Sequence, residues 1–581
     1  MTTSAITETM EETAIAYLNL ASRHEVEENF SEALQTLKRA TQLFPDEPDP
    51  FFRQAHLLLK MGHVNKAIGL FKDLTQRMPK YILSYNQLAL LHEARGLIDE
   101  ALEYWKCTFK TNDPNLHSRA LTAYLKSPTI TNEQILEAHL DWARRYAQPH
   151  LNQGVCDFPK YDGKRPINVA YTCSYWQVDT IRFQLLPILR QRDPAREKVF
   201  AYANAGGFSE EEIAETQASV DVFRPMWHLS PKQFIEQARE DQIDVLVELN
   251  GHSPGHRFVT MASRCAPVQV SYLNYVGTSG VPNVDYIIAD DACILPEEEK
   301  YFTEKIYRVP GSFFSFNYES DPLSTSPSDA PCLKNKYVTF GCFGSGGKIN
   351  QILIGWWAEI LKKEPTAKLF IRNNELTPTD NRKFMEESFA KHGVDKSRLI
   401  LKEGANRMGV IESYREVDIS LDTYPYCGGN TIAESLWQGV PVITLKGHRF
   451  AAAYGASELQ AAGCPELISY TKEEYIDKAI TLARDVKRIV YYRQNLRQMA
   501  YEHGYTNSKA FATKLEDAYE DMLLQAQRAE SFERQRQMCL DVSEILTVPN
   551  PKCREFLAKQ TEEIYGAGMQ SPLLKILKNS F

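Results

Sequence analysis

A repeat with a period of 34 residues near the N-terminus constrains the fold of this chain most strongly. Two alanines, an aromatic residue and a turn glycine return at fixed positions in the period. This is the tetratricopeptide pattern, in which small residues let two helices pack closely. We therefore expect three helix pairs within residues 1–147, with 116–147 as a capping or bridging pair. The repeated positions are Ala21, Ala55 and Ala89; Ala33, Ala67 and Ala101; Tyr17, Phe51 and Tyr85; and Gly62 and Gly96.

The function of the repeats has two interpretations. Three repeats make a stable stack, which could be a purely structural spacer. The concave face of such a stack usually holds a peptide or another protein, and we favour this partner-binding role. The first repeat departs from the pattern, because Glu28 stands where Gly62 and Gly96 occupy the turn of the later repeats.

Composition and charge exclude several classes of protein. The chain has 581 residues, is 43% hydrophobic and carries a net charge of −9. This acidic balance argues against nucleic acid as the main partner, since phosphate binding needs a basic face. The first 14 residues are polar and acidic, and we expect neither a signal peptide nor a membrane span. Eleven scattered cysteines without metal-ligand spacing favour the cytoplasm over a disulfide framework or a zinc site.

The pattern changes from helices alone to strands alternating with helices. Residues 148–166 carry proline and glycine without periodicity and predict a linker. Beyond it we expect two doubly wound α/β domains, at 167–330 and 331–525, and then a helical tail at 526–581. Strands are predicted at 167–174, 198–204, 243–251, 266–275, 284–290, 305–311, 337–343, 367–373, 398–403, 418–423 and 441–447, and helices at 179–191, 209–217 and 231–241.

Two glycine-rich turns follow strands of the second α/β domain and predict a diphosphate site. The first turn, Ser345-Gly346-Gly347, ends in Lys348, and the second is Gly428-Gly429-Asn430 before Thr431. Backbone N–H groups, a helix N-terminus and one cation all favour bound negative charge. Because Ile349 follows Lys348 where a phosphate loop has Ser or Thr, we do not expect a magnesium-dependent nucleoside triphosphatase. The alternative is that Lys348 is a surface lysine in a turn.

The start of the second helix also has two interpretations. Thr431 and Glu434 fit a capping box, T-x-x-E, which would be a purely structural arrangement. The functional interpretation gives the Glu434 carboxylate a ribose hydroxyl of the donor, while Gly429 and Asn430 let the backbone approach a phosphate closely.

Polar loops of the first α/β domain would line the opposite wall of a cleft. They contain His252, Gly277 and Thr278, and Asp179 follows the first strand. His252 could orient a substrate, although a lone loop histidine is more often structural. Asp179 could act as a base, although capping a helix is the default role of an aspartate there. Since the adjacent pair Asp290-Asp291 makes no D-x-D motif, we expect no metal site, and Lys348 and helix dipoles would supply the charge.

Four segments together resemble the O-GlcNAc transferase/SPINDLY family. They are the repeats, VELNGHSPG…APVQVSYLNYVGTSGVPNVDYIIAD, VTFGCFGSGGKI and DISLDTYPYCGGNTIAESLWQGVPVIT, and the resemblance covers most of residues 10–525. It implies an α plus α/β chain: a tetratricopeptide superhelix followed by a GT-B fold of two Rossmann-like domains. It also implies an inverting, metal-independent glycosyltransferase without a cofactor. A nucleotide sugar would donate its sugar to Ser/Thr of a protein acceptor that the repeats recruit.

The resemblance also implies roles for individual residues. Lys348 matches a lysine on the donor diphosphate, Arg407 lies where another lysine approaches the donor, and Thr431 matches a threonine at the phosphate-binding helix start. Glu434 replaces an aspartate that binds ribose. Direct displacement at the anomeric carbon is implied, with the proton passing to Asp179, His252 or the phosphate.

Departures from the family leave the donor open. Asp179 replaces a family histidine after the first strand, and Val410 replaces the histidine that stacks on uracil. The resemblance points first to GlcNAc from UDP-GlcNAc, with GDP-fucose, UDP-glucose and a CMP-nonulosonate as alternatives. A catalytically silent repeat scaffold that binds nucleotide sugar, or a GT-B sugar epimerase, would be a different class of protein.

Overall fold

The computed structural model describes residues 3–151, 158, 161–318 and 326–528. Most of the predicted helical tail at 526–581 and part of the predicted linker at 148–166 lie outside the described residues. The predicted domain boundaries stay a prediction. No helix within the described ranges is long and apolar enough to cross a membrane.

The N-terminal part is made of paired helices, as the repeat predicts. All six repeated alanines are fully buried. A small residue is needed at these positions because a larger side chain would separate the helices of a pair. The helices are α1 Thr3–Val26, α2 Phe30–Leu43, α3 Pro48–Lys60, α4 Val64–Arg77, α5 Ile82–Glu93, α6 Ile98–Thr108, α7 Pro114–Lys126 and α8 Asn132–Tyr146.

The first α/β domain is built on a seven-stranded parallel sheet in the order β3-β2-β1-β4-β5-β6-β7. The strand order reverses beside β1, which is where doubly wound sheets place their ligands. A π-helical turn, Ile181–Leu185, follows the first strand. The strands are β1 Ile167–Cys173, β2 Glu197–Ala203, β3 Val222–Pro225, β4 Val245–Glu248, β5 Val268–Ser271, β6 Tyr286–Ala289 and β7 Lys305–Arg308. The helices are α9 Leu186–Arg190, α10 Glu210–Gln217, α11 Pro231–Glu240 and α12 Phe258–Met261.

A second parallel sheet has six strands. These are β8 Thr339–Cys342, β9 Lys368–Arg372, β10 Leu399–Lys402, β11 Ile419–Leu421, β12 Val442–Leu445 and β13 Ile468–Ser469. The accompanying helices are α13 Cys332–Asn335, α14 Gln351–Lys363, α15 Thr379–Ala390, α16 Arg407–Ser413, α17 Asn430–Trp437, α18 Tyr454–Ala461, α19 Lys472–Arg484, α20 Val486–Glu502 and α21 Ser508–Arg528.

Capping residues fix several helix starts locally. Ser209 and Ser230 each accept a hydrogen bond from the backbone N–H three residues later, and the Glu212 and Gln233 side chains accept from the serine N–H groups. These capping boxes satisfy N–H groups that a helix leaves without internal partners. The predicted helices at 209–217 and 231–241 therefore begin where the sequence indicates.

The chain divides into two compact units. The first contains Met1–Ala123 and Tyr337–Ser413, and thus the repeats together with strands β8–β10. The second contains Tyr124–Lys336 and Tyr414–Phe581, and thus the seven-stranded sheet together with β11–β13. The candidate site residues are distributed over both units.

Candidate functional site

Lys348 lies in the first unit, in a short 3-10 turn between β8 and α14. The turn spans Gly346–Lys348, and the Lys348 N–H donates to the Ser345 carbonyl at 2.9 Å. The Asn350 side chain then starts α14 by accepting from the Leu353 N–H at 3.0 Å. These bonds hold Lys348, which is half-buried, in a defined backbone conformation at the carboxyl end of a parallel strand.

The two glycines before Lys348 pack against the helical repeats. A Cβ at Gly346 would lie 2.2 Å from the Ala94 carbonyl oxygen, and one at Gly347 would lie 3.3 Å from Glu93. Both glycines are buried. The sequence predicts that these glycines take part in the diphosphate site. The structure shows a second reason for glycine at both positions, which is the close contact with the turn between α5 and α6.

Arg407 begins α16, also in the first unit. The Asn406 side chain caps this helix by accepting from the Gly409 N–H at 3.0 Å. Arg407 and Val410 are both half-buried, one turn apart on the same short helix. Their placement near the donor, which the resemblance implies, stays a prediction.

In the second unit the turn before α17 is organised by Asp422, a residue that the sequence did not single out. One carboxylate oxygen accepts from the Gly428 N–H at 2.7 Å and from the Thr423 N–H at 2.8 Å. The other oxygen accepts from the Thr444 hydroxyl at 2.6 Å. Asp422 is only 6% exposed, so these bonds form where water competes little. Its only sequence signal is a carboxylate directly after a buried strand.

Gly428 and Gly429 differ in the space that is available for a side chain. A Cβ at Gly428 would lie 2.2 Å from the Thr431 hydroxyl oxygen, so this position needs glycine. A Cβ at Gly429 would meet only an ordinary contact with Tyr454, at 3.6 Å. The close approach of backbone and side chain therefore occurs at Gly428.

The predicted capping box of Thr431 and Glu434 is not formed. Helix α17 begins two residues earlier than this box requires, at Asn430, with Gly429 as its N-cap and no side-chain cap. The Gly429 carbonyl accepts from the N–H groups of Ile432 and Ala433. The first N–H groups of a helix have no partner within it, so this start offers backbone donors to an anion.

Glu434 points into the protein. It is 5% exposed, and its carboxylate accepts from the Tyr414 hydroxyl at 3.0 Å. Burial, with Glu434 beside it, raises the pKa of Tyr414 well above its usual value, so the hydroxyl stays a donor. The ribose contact proposed for Glu434 stays a prediction, and the structure adds this buried tyrosine as its neighbour.

Asn430 joins the start of α17 to the segment that contains Asp179. The Gln184 side-chain amide donates to Asn430 Oδ1 at 2.7 Å, and Asn430 Nδ2 donates to the Thr180 hydroxyl at 3.1 Å. Gln184 belongs to the π-helical turn, and Asp179 immediately precedes Thr180 and is half-exposed. The second unit thus brings two predicted site segments, after β1 and before α17, into direct contact.

His252 is fully buried in an aromatic cluster. Its Nε2 lies 2.8 Å from the Ser279 carbonyl oxygen, which can only accept. The ring packs against Trp142, His139 and Tyr275, with centroids 4.7, 5.1 and 5.3 Å away. This environment fits a packing role better than removal of a proton from a bound acceptor.

Gly277 and Thr278 are also buried. A Cβ at Gly277 would lie 3.1 Å from Leu125 in α7. The Thr278 hydroxyl donates to Glu304 at 2.7 Å, and burial raises the pKa of that glutamate. Both residues hold their loop in place, and their predicted contact with the donor stays a prediction.

Comparison with known proteins places these features in a family. The model of glycosyl transferase family 41 matches residues 164–321 and 323–515, which is more than half of the chain. The probable UDP-N-acetylglucosamine–peptide N-acetylglucosaminyltransferase SPINDLY of Arabidopsis thaliana is 30% identical over 395 residues. That match covers 67% of this chain and 43% of the relative. The chain therefore spans less than half the length of the curated relatives that it matches.

A solved structure matches over a larger part of the chain. It is a mutant of the O-GlcNAc transferase of Thermobaculum terrenum, 28% identical, with a TM-score of 0.79. The match covers 91% of this chain and 100% of that one. Helical repeats followed by two Rossmann-like domains, the GT-B fold that the family resemblance implies, are thereby confirmed.

Proposed function

Because this chain belongs to glycosyl transferase family 41, we propose that it is a protein O-glycosyltransferase. It would move a sugar from a nucleotide donor to Ser or Thr of a protein acceptor. The observation that carries the proposal is the start of α17, where Asp422 fixes the Gly428 turn and Thr180 and Gln184 fix Asn430. These bonds form a rigid, glycine-containing helix start at the carboxyl end of a parallel strand, which suits a diphosphate.

UDP-GlcNAc is the first candidate for the donor. The relatives named for their activity, SPINDLY and SEC of Arabidopsis thaliana, carry the description probable UDP-N-acetylglucosamine–peptide N-acetylglucosaminyltransferase. GDP-fucose, UDP-glucose and a CMP-nonulosonate stay open as alternatives. Val410, Gly429 and Asn430 carry none of the aromatic side chains that would select a base by stacking.

The proposed reaction is a direct displacement with inversion. The acceptor oxygen attacks the anomeric carbon, the bond from that carbon to the diphosphate breaks, and the electron pair leaves with the phosphate oxygen. The Lys348 ammonium group and the backbone N–H groups at the start of α17 would each stabilise part of the charge that develops on the leaving diphosphate. No cofactor or metal is part of this proposal.

Asp179 is the better candidate to receive the acceptor proton. It is half-exposed and stands next to Thr180, which bonds to Asn430 at the start of α17. His252, in contrast, is fully buried against Ser279 and Trp142. The second possible acceptor of the proton is the departing phosphate itself.

The repeats would recruit the protein acceptor, and the reaction would take place in the cytoplasm. The eight cysteines within the described ranges are all free thiols, which supports a reducing compartment. Three stacked repeats with fully buried alanines are consistent with this role, since the concave face of such a stack would suit an extended peptide.

A donor screen followed by mass spectrometry tests this proposal. The purified chain is heated with UDP-GlcNAc, UDP-glucose, GDP-fucose and a CMP-nonulosonate, and a bound donor raises Tm with its concentration. The stabilising donor is then incubated with a Ser/Thr-rich peptide library, and a mass increase of one sugar on a peptide is expected. Stabilisation by a donor without any transfer would favour the silent scaffold instead.

A further inference from the structure

The turn between α5 and α6 packs directly on the turn that carries Lys348. A Cβ at Gly96 would lie 1.9 Å from the carbonyl oxygen of Ile349, the residue after Lys348. From the other side, a Cβ at Gly346 would lie 2.2 Å from the Ala94 carbonyl oxygen. The two backbones therefore touch over the whole 3-10 turn, and neither position has room for one more carbon atom.

The repeat itself shows that this contact, and not backbone conformation, requires Gly96. Glu28, Gly62 and Gly96 occupy equivalent positions, 34 residues apart, with φ of 60°, 80° and 69°. Glu28 demonstrates that a side chain can be accommodated in this left-handed conformation. A Cβ at Gly62 would meet nothing within 4 Å. Only the third repeat has the Lys348 turn against it.

A buried arginine fastens the α5–α6 turn to a second element of the same unit, the helix α15. Arg95 is 8% exposed, and its Nε donates to the Asn381 side chain on α15 at 2.8 Å. Its terminal nitrogen donates to the Asn65 side chain at 2.7 Å, and its guanidinium lies 4.9 Å from the centre of the Phe384 ring. The turns of two consecutive repeats are thus fastened to the helix that follows β9.

We propose that the α5–α6 turn of the third repeat is a positioning element for Lys348. It packs against the backbone of residues 346–349 and fixes it, so that the Lys348 ammonium group is held where the diphosphate of the donor binds. A misplacement of about 1 Å at such a group can cost about 100-fold in rate. This inference rests on the proposed function, and it gives the repeats a part in the donor step besides acceptor recruitment.

Two glycine variants of the same repeat position test the inference. Gly96→Ala and Gly62→Ala impose the same left-handed strain on an alanine, but only Gly96→Ala pushes on Ile349. With UDP-GlcNAc as donor, Gly96→Ala is expected to lower kcat/KM by about tenfold or more. Gly62→Ala is expected to stay within about twofold of the parent, with only the small decrease in Tm that the left-handed strain causes. Equal kcat/KM for the two variants would overturn the inference.

A donor-independent measurement separates this inference from the proposed function. Hydrogen exchange of the peptide covering residues 343–350 should become faster in Gly96→Ala and stay unchanged in Gly62→Ala. If the parent chain transfers no sugar at all, the proposed function fails, and the exchange result alone decides the inference. Unchanged exchange in Gly96→Ala would overturn it.

Arg95→Met is a second test of the inference, for the case that Gly96→Ala does not fold. The equivalent residue of the second repeat is Met61, so methionine fits this turn. The variant removes both hydrogen bonds of Arg95 but keeps an apolar side chain against Phe384. Faster exchange in residues 343–350 is expected together with a lower Tm, because Asn381 and Asn65 lose a donor. Exchange equal to that of the parent would contradict the inference.

Discussion

Gln184 and Asn430 share a hydrogen bond of 2.7 Å, in which the Gln184 amide donates to the Asn430 carbonyl oxygen. The bond joins a π-helical turn after β1 to the first residue of α17. Thr180 accepts from the other end of the Asn430 amide, so this side chain is held at both of its polar atoms. The helix start that we assign to the diphosphate is therefore fixed by two residues of the first α/β domain.

Asn430→Asp separates the structural and electrostatic roles of this position. Both contacts survive, since the Thr180 hydroxyl can donate to the new carboxylate, and an acidic residue at a helix start is favourable. Tm is expected to be unchanged. A negative charge near the diphosphate repels it by on the order of 2–4 kcal/mol at an effective dielectric of 20, so donor affinity should fall by about tenfold or more.

Calorimetric titration of the donor, with Asn430→Ala as the comparison, measures this effect. Asn430→Ala loses both hydrogen bonds and should lower the free energy of unfolding by about 1–2 kcal/mol. Donor affinity that is the same in Asn430→Asp and in the parent would contradict a diphosphate at this helix start.

Asp422→Ala should loosen the Gly428 turn. The change leaves the N–H groups of Gly428 and Thr423 and the Thr444 hydroxyl without their buried acceptor. A loss of about 3 kcal/mol in the free energy of unfolding is expected. Asp422→Asn is the control, because it keeps one acceptor oxygen and should cost about 1 kcal/mol. Urea denaturation that shows equal losses would argue against this carboxylate as the organiser of the turn.

Tyr414→Phe tests the buried hydrogen bond between the Tyr414 hydroxyl and the carboxylate of Glu434 in α17. Removing the hydroxyl takes away a donor from the 5% exposed Glu434 carboxylate. The free energy of unfolding should fall by about 1–3 kcal/mol. Glu434→Gln keeps an acceptor for Tyr414 and should cost less, as thermal or chemical denaturation can measure. A larger loss in Glu434→Gln would show that the charge, and not the hydrogen bond, matters at this position.

Glu197 should make stability depend on pH. This residue begins β2 and is 3% exposed, and burial, with Glu516 nearby, raises its pKa to about 8 against the opposing effect of Arg192 and Arg196. Since the folded state holds the proton more tightly than the unfolded state, its contribution is fully present below about pH 4.5. It is lost as the pH rises towards 8, by about 1.4 kcal/mol per unit.

Glu197→Gln removes this ionisation and keeps the shape of the side chain. The free energy of unfolding of the variant minus that of the parent should therefore increase between pH 5 and pH 7, as urea denaturation at several pH values measures. A difference that stays constant over this range would contradict the raised pKa.

Regular repetition and buried runs made much of the fold predictable. Six alanines at a fixed period fit only closely packed helix pairs, and strands buried on both faces read as continuous apolar segments. The strand Val222–Pro225 was not predicted, because Arg224 and Pro225 give this edge strand a polar, turn-like sequence. Strand β13 has only two residues and leaves no pattern at all.

The site was harder to predict because its contacts join distant parts of the sequence. Nothing near Gly346 indicates that its partner is Ala94, and nothing near Asn430 indicates Gln184. Thr431 and Glu434 fit a capping box in sequence, but α17 starts two residues earlier than that box requires, and Glu434 bonds to a tyrosine 20 positions away. Local patterns located the turns, whereas the residues that hold them come from tertiary packing.

Transfer of sugar to peptide by Lys348→Ala tests the central claim most directly. Lys362→Ala is the matched control, since it removes an exposed lysine from neighbouring α14 in the same unit. We predict that Lys348→Ala lowers kcat for transfer by about 100-fold or more with a nearly unchanged Tm, while Lys362→Ala behaves as the parent. Equal rates in Lys348→Ala and the parent, or nucleotide binding by the parent without any transfer, would contradict the account.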